Sequence, residues 1–210
     1  MTPLAKTKTL LHLKSTEAAF SLVELFVSII LVLILSLMVV GRGTWSDAQR
    51  QLNHCQKNLQ NIYLALSIYA ADNKDAFPAI KGAEGSEAPL SLLVPRSTTV
   101  TEMFICPSSS DNKLPEGESF MNRRISYAYY MNHAKSDGAG SLLLSDRQVN
   151  SFPKIKRQLI FSENGKSPGA NHAKTGGNLL YCDGEIKASK PRASRDFLFP
   201  TNIVLLNPKP

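Results

Sequence analysis

Apolar residues run almost unbroken from Phe20 to Val40, interrupted only by Ser21, Glu24, Ser28 and Ser36. As a helix this segment is about 31 Å long, close to the thickness of a bilayer's hydrocarbon core. After Gly41-Arg42-Gly43 the pattern changes. Leu52, Cys55, Leu59, Ile62, Leu66 and Tyr69 recur at alternating steps of three and four residues, with Gln51, Gln56, Lys57, Asn58, Gln60 and Asn61 between them. That spacing predicts a helix over 45–71 with one apolar stripe. The repeat is too short for a convincing coiled coil, so the stripe is expected to pack on the protein's own domain. Glycine costs up to about 1 kcal/mol inside a helix, so Gly41 and Gly43 mark a soft point between the halves. Asp72-Asn73-Lys74 and Phe77-Pro78 end the helix.

Beyond Pro78 the apolar runs are short and broken by Gly, Pro, Ser and Asn. Pro89 and Pro95 bracket a short helical run, and Met103–Cys106 is an apolar stretch stopped by Pro107. Ile125–Tyr130 and Gln158–Phe161 have strand composition. Asn178–Cys182 and Glu185–Lys187 flank Asp183-Gly184, the strongest hairpin signal in the chain. Pro191–Pro210 holds four prolines and one apolar run, Ile203–Leu206, fit for an edge strand. The expected fold is α+β, a long N-terminal helix whose first half is transmembrane and whose second half packs on a small antiparallel sheet.

Composition narrows the function classes. A chain of 210 residues, 43% apolar and 20% charged, is one modest domain with an appendage. Three cysteines are too few for a disulfide-built miniprotein. The net charge is +7, but its lysines and arginines are scattered, with no aromatic-interleaved basic patch, which argues against a nucleic-acid partner. Lys6, Lys8 and Lys14 precede the apolar run, so the positive-inside bias puts residues 1–19 in the cytoplasm and the domain after Arg42 outside. A secretory signal would end in a small-x-small cleavage site, and Gly-Arg-Gly-Thr-Trp does not supply one. A plain signal anchor leaves Glu24 unexplained. A charge at the centre of a bilayer costs about 2.5–3.5 kcal/mol on insertion scales, so an acid inside the run needs a partner even near the interface.

Ala18-Ala19-Phe20-Ser21-Leu22-Val23-Glu24, with a basic leader before it and an apolar run after it, resembles the prepilin-type signal of type IV pilins and type II secretion pseudopilins. The resemblance implies cleavage by a prepilin peptidase between Ala19 and Phe20, with Ala19 standing where the family usually has Gly. It implies N-methylation of Phe20 and pairing of Glu24 with the freed amine of a neighbouring subunit during assembly. The chain then divides into a leader (1–19), a transmembrane helical half (20–40), an amphipathic half (41–73), a periplasmic α+β domain (74–190) and a proline-containing tail (191–210). Implied partners are the peptidase, other pseudopilin subunits, an inner-membrane secretion platform and membrane lipid. The implied location is the bacterial inner membrane, single-pass, with the C-terminal domain periplasmic. Tyr69–Asn73 with Phe77-Pro78, Phe104–Ser108 and Ser126–Tyr129 resemble segments of a narrower group, the pseudopilin-like proteins of planctomycete and verrucomicrobial bacteria. His172 and Asp183-Gly184 resemble that group's signature of a histidine, nine residues and Asp-Gly, although ten residues intervene here. The function implied is a structural subunit of a periplasmic pseudopilus for protein export. A type IV pilin and a membrane-anchored binding domain are the alternatives.

No enzyme is expected. Cys106, His172 and Asp183 are triad residue types, but no nucleophile motif surrounds Cys106. Cys55, Cys106, Cys182 and His172 are metal-ligand types without the close Cys-x-x-Cys spacing of a structural zinc site. In an oxidising periplasm a Cys106–Cys182 disulfide is expected, with Cys55 as a core residue. Major pseudopilins often hold calcium in a C-terminal loop; here Asp183, Glu185, Glu163 and Asp146 are the available acids, without an EF-hand alternation. A turn-forming role for Asp183 is preferred, and no cofactor is expected.

Overall fold

The computed structural model describes residues 21–210, without the side chains of 39–46. The leader, and with it Ala19 and Phe20, lies outside the described residues. The chain divides into two units, 1–44 and 45–210.

Helix α1 is Leu22–Asp72, and its helical assignment continues through Gly41 and Gly43. In the first unit its side chains from Leu22 to Met38 are exposed on every side, Leu22 at 79% and Phe26 at 64%. Among the described residues no helix is long and apolar enough to cross a membrane. The described apolar side chains cover about 25 Å of helix, and the span expected over 20–40 extends past them at both ends.

In the second unit the predicted stripe is the buried face of α1, where Cys55, Leu59, Ile62 and Leu66 are fully covered. Each buried Leu or Ile contributes about 1.5–3 kcal/mol. Asn58, one of the polar residues between the stripe positions, is buried as well: its Nδ2 donates to the Ile105 carbonyl at 2.9 Å and to the Tyr127 hydroxyl at 3.2 Å. The helix ends at Asp72, followed by Lys74 and Asp75 with φ of 55° and 63°.

The sheet is antiparallel throughout, in the order β4-β3-β2-β1-β5. Its strands are β1 Tyr127–Met131, β2 Leu142–Asp146, β3 Gly177–Tyr181, β4 Ile186–Ser189 and β5 Val204–Leu206. Alternate side chains of β1 go to opposite faces. Tyr127, Tyr129 and Met131 join the α1 core, while Ala128 and Tyr130 join a second core with Ile160, Phe161, Phe197 and Ile203. The proline-containing tail thus covers the far face of the sheet and adds β5 to its edge. Between Leu142 and Leu144 the pairing shifts register, so Leu143 and Leu144 both turn toward α1. Gln158–Phe161, expected as a strand, is irregular, tied by an isolated bridge between Leu159 and Arg192. A short helix α2, Glu87–Ser91, and a 3-10 turn, Glu102–Phe104, lie before the sheet.

Candidate functional site

Four ligand-type side chains from four separate parts of the chain meet under α1. Cys55 comes from the buried stripe of α1, Cys106 from the segment after the 3-10 turn, Asp146 from the end of β2, and His172 from the loop before β3. All four are buried, and their ligand atoms lie within 4.8 Å of one another.

Cys55 and Cys106 form a disulfide with a Cα–Cα distance of 5.5 Å. The expected Cys106–Cys182 pairing is therefore corrected. Asn58, one turn along from Cys55, holds the Ile105 carbonyl against α1 and so delivers Cys106 to the helix. Cys182 is free and buried at the end of β3, where Tyr63 Oη donates to its carbonyl at 3.0 Å. Burial, with smaller contributions from Asp137 and Asp183, pushes its thiol up to about 12. It is a core residue.

His172 Nε2 lies 3.7 Å from Cys106 Sγ and 3.3 Å from Asp146 Oδ2. The carboxylate is held from its other side: the Asn178 backbone N–H donates to Oδ2 at 2.7 Å, Asn178 Nδ2 to Oδ2 at 3.2 Å, and Asn171 Nδ2 to Oδ1 at 3.3 Å. Both asparagines also anchor the group to its surroundings, Asn178 Nδ2 donating to the Leu52 carbonyl of α1 and Asn171 Nδ2 to the Ser126 carbonyl. A Cβ on Gly177 would lie 3.0 Å from the Asp146 Cβ and 2.8 Å from the Phe161 ring, so β3 can approach this closely only with glycine there. His172 Nδ1 is buried without a hydrogen-bond partner. A second network supports the Cys106 backbone. The Cys106 N–H donates to Ser126 Oγ, which donates to Asp111, and Asp111 is paired with Arg147 and Arg124.

The other sequence candidates fall elsewhere. Asp183 and Gly184 form the β3–β4 turn, where Asp183 Oδ1 accepts the Glu185 N–H at 3.0 Å, and the acid gathered with Cys106 and His172 is Asp146, not Asp183. Glu163 binds Arg192 through both carboxylate oxygens, and Glu185 pairs with Lys187 at 2.7 Å. Asp146 faces His172, so the four acids considered for calcium are each engaged differently. Glu24 lies in the first turn of α1. Sequence reasoning missed Asp146 as the partner of His172 and Cys55 as the partner of Cys106; the one available signal for Cys55 was its place on the buried stripe.

Comparison with family models, with curated proteins and with solved structures finds no match to this chain.

Proposed function

We propose that this protein is a pseudopilin-like assembly subunit, held in the inner membrane by the N-terminal part of α1 and packed after processing into a periplasmic filament that serves type II-like protein export. The observation that carries the reading is the exposed apolar surface from Leu22 to Met38 with a single ionisable side chain, Glu24. A helix apolar on every side is not at rest in water; it requires lipid or neighbouring helices. Its serines fit that surrounding: Ser28 Oγ donates back to the Glu24 and Leu25 carbonyls and Ser36 Oγ to the Val32 carbonyl, leaving no free hydroxyl facing lipid. Among the described residues the Glu24 side chain has no hydrogen-bond or ion-pair partner, and the resemblance of its surroundings to prepilin signals supplies one, the cationic amine of a neighbouring processed subunit. In a medium of low dielectric such a pair holds only when both charges are met, which makes Glu24 a register pin between subunits.

Leu64 and Ile68, one turn apart on the outer side of α1, are 61% and 50% exposed and give the domain half of the helix an apolar contact as well. The test is Glu24→Val. Insertion and processing continue, while incorporation into filament fractions, read by cross-linking between subunits, falls at least tenfold. Incorporation at the wild-type level contradicts the assigned role.

A further inference from the structure

An ordinary buried disulfide needs no charged neighbours, yet this one has a histidine and an acid set against it. His172 is 5% exposed and Asp146 fully buried, and the polar contacts of the imidazole all converge on Nε2, the atom that faces the sulfur and the carboxylate. Its Nδ1 is left without a partner. A neutral imidazole carries one donor and one acceptor, so one buried polar atom stays unsatisfied whichever nitrogen holds the proton. The carboxylate, by contrast, accepts hydrogen bonds from both Asn171 and Asn178.

Two of the six ligand-to-ligand distances match the edges of a tetrahedral metal site, and the four ligand atoms all lie within 4.8 Å of one another. With zinc–nitrogen and zinc–oxygen bonds of about 2.0–2.1 Å, the edge between the two ligands is about 3.3 Å, and His172 Nε2 to Asp146 Oδ2 is 3.3 Å. With a zinc–sulfur bond of about 2.3 Å, the sulfur–nitrogen edge is about 3.6 Å, and Cys106 Sγ to His172 Nε2 is 3.7 Å. The remaining donor, Cys55 Sγ, is bonded to Cys106; opening that bond frees it to move out to its own vertex, about 3.8 Å from its partner.

We propose that Cys55, Cys106, His172 and Asp146 form a redox-gated site for a zinc-type divalent cation, closed as a disulfide and metal-binding as a dithiol. A dithiol reductant supplies two electrons and two protons, the S–S bond becomes two S–H groups, and the reductant leaves as its own disulfide. Binding of the cation then releases both thiol protons to solvent, and His172 coordinates through Nε2 as a neutral imidazole that keeps its one proton on Nδ1. Two thiolates, one carboxylate and a dication leave one net negative charge, spread by the amide donors on Asp146. In the reverse direction a disulfide oxidant accepts the two electrons and, with two protons from solvent, leaves as its dithiol, while the Cys55–Cys106 bond re-forms and the ion is expelled. The donor set of two sulfurs, one imidazole and one carboxylate fits zinc better than calcium or magnesium, which take oxygen. In either state α1 is pinned to the segment before the sheet, so the site exchanges one cross-link for another.

The experiment uses the full chain in detergent, reduced anaerobically with a phosphine so that no competing thiol is present. It is then loaded with Zn2+ or Co2+, desalted and examined by native mass spectrometry and absorption. The reduced chain retains one metal ion, with the cobalt form showing thiolate-to-metal charge transfer and tetrahedral ligand-field bands, and the oxidised chain retains none. Cys182→Ala leaves this unchanged, and Asp146→Asn weakens binding at least tenfold. A reduced, folded chain that leaves desalting free of metal overturns the proposal, as does retention of the ion by the Cys55→Ser, Cys106→Ser double variant. Reduction that unfolds the chain without rescue by Zn2+ overturns it equally. Every ligand lies within residues 45–210, so the outcome is independent of how the N-terminus is processed.

Discussion

Glu87 shows how a single buried side chain can report on the closing of the chain. Its Oε1 accepts the Lys209 N–H at 2.6 Å, which ties the C-terminal tail to the start of α2, while Oε2 is buried without a partner. Burial raises this carboxyl above the usual glutamate range, against opposing contributions from its own and the Lys209 backbone N–H. A folded-state value above the unfolded one means that stability from this group is complete at low pH and is lost as pH rises through the folded value. Glu87→Gln removes the titration and keeps an oxygen for Lys209. The variant no longer buries a charge and is therefore expected to gain stability at neutral pH, with the gain shrinking as pH falls into the glutamate range. Urea midpoints of both proteins across that range check the sign; a difference independent of pH contradicts it.

At the scale of elements, the β3–β4 hairpin is fastened to α1 through its turn. Gly184 has φ +86°, and a Cβ there would lie 2.7 Å from the Tyr63 ring, whose hydroxyl holds the Cys182 carbonyl. Gly184→Ala is expected to cost about 1–3 kcal/mol from the left-handed backbone alone, and more if Tyr63 is displaced; chemical denaturation measures it, and an unchanged midpoint contradicts it. This hairpin was legible because Asp-Gly between two apolar runs is a local signal, as was the buried face of α1 from its three-and-four spacing. Strand β2 was not. Leu142–Asp146 is covered on both faces, so it lacks the alternation that marks a half-exposed strand. Gln158–Phe161 misled for the opposite reason: its apolar side chains serve the second core from an irregular segment, and burial rather than backbone pairing sets its composition. The role of Asn58 was not legible either, because a polar residue beside a stripe is indistinguishable in sequence from one that bridges two buried acceptors.

For the whole molecule, the site under α1 could be read only as a set of residue types. Cys55, Cys106, Asp146 and His172 are scattered along the chain with no repeating interval, and the register of β2 and the loop before β3 brings the last two together. The pairing of Cys55 with Cys106 follows from α1 lying over the sheet, a tertiary fact that no spacing encodes. The N-terminal chemistry is the reverse case, a contiguous sequence pattern whose leader lies outside the described residues. The account as a whole depends on that pattern being cut. The most direct measurement is co-expression of the full chain with a prepilin peptidase, followed by mass spectrometry of its N-terminal peptide. The account predicts a chain that starts at Phe20 and carries one added methyl group on its amine; a chain that keeps residues 1–19 in the presence of the active peptidase contradicts it.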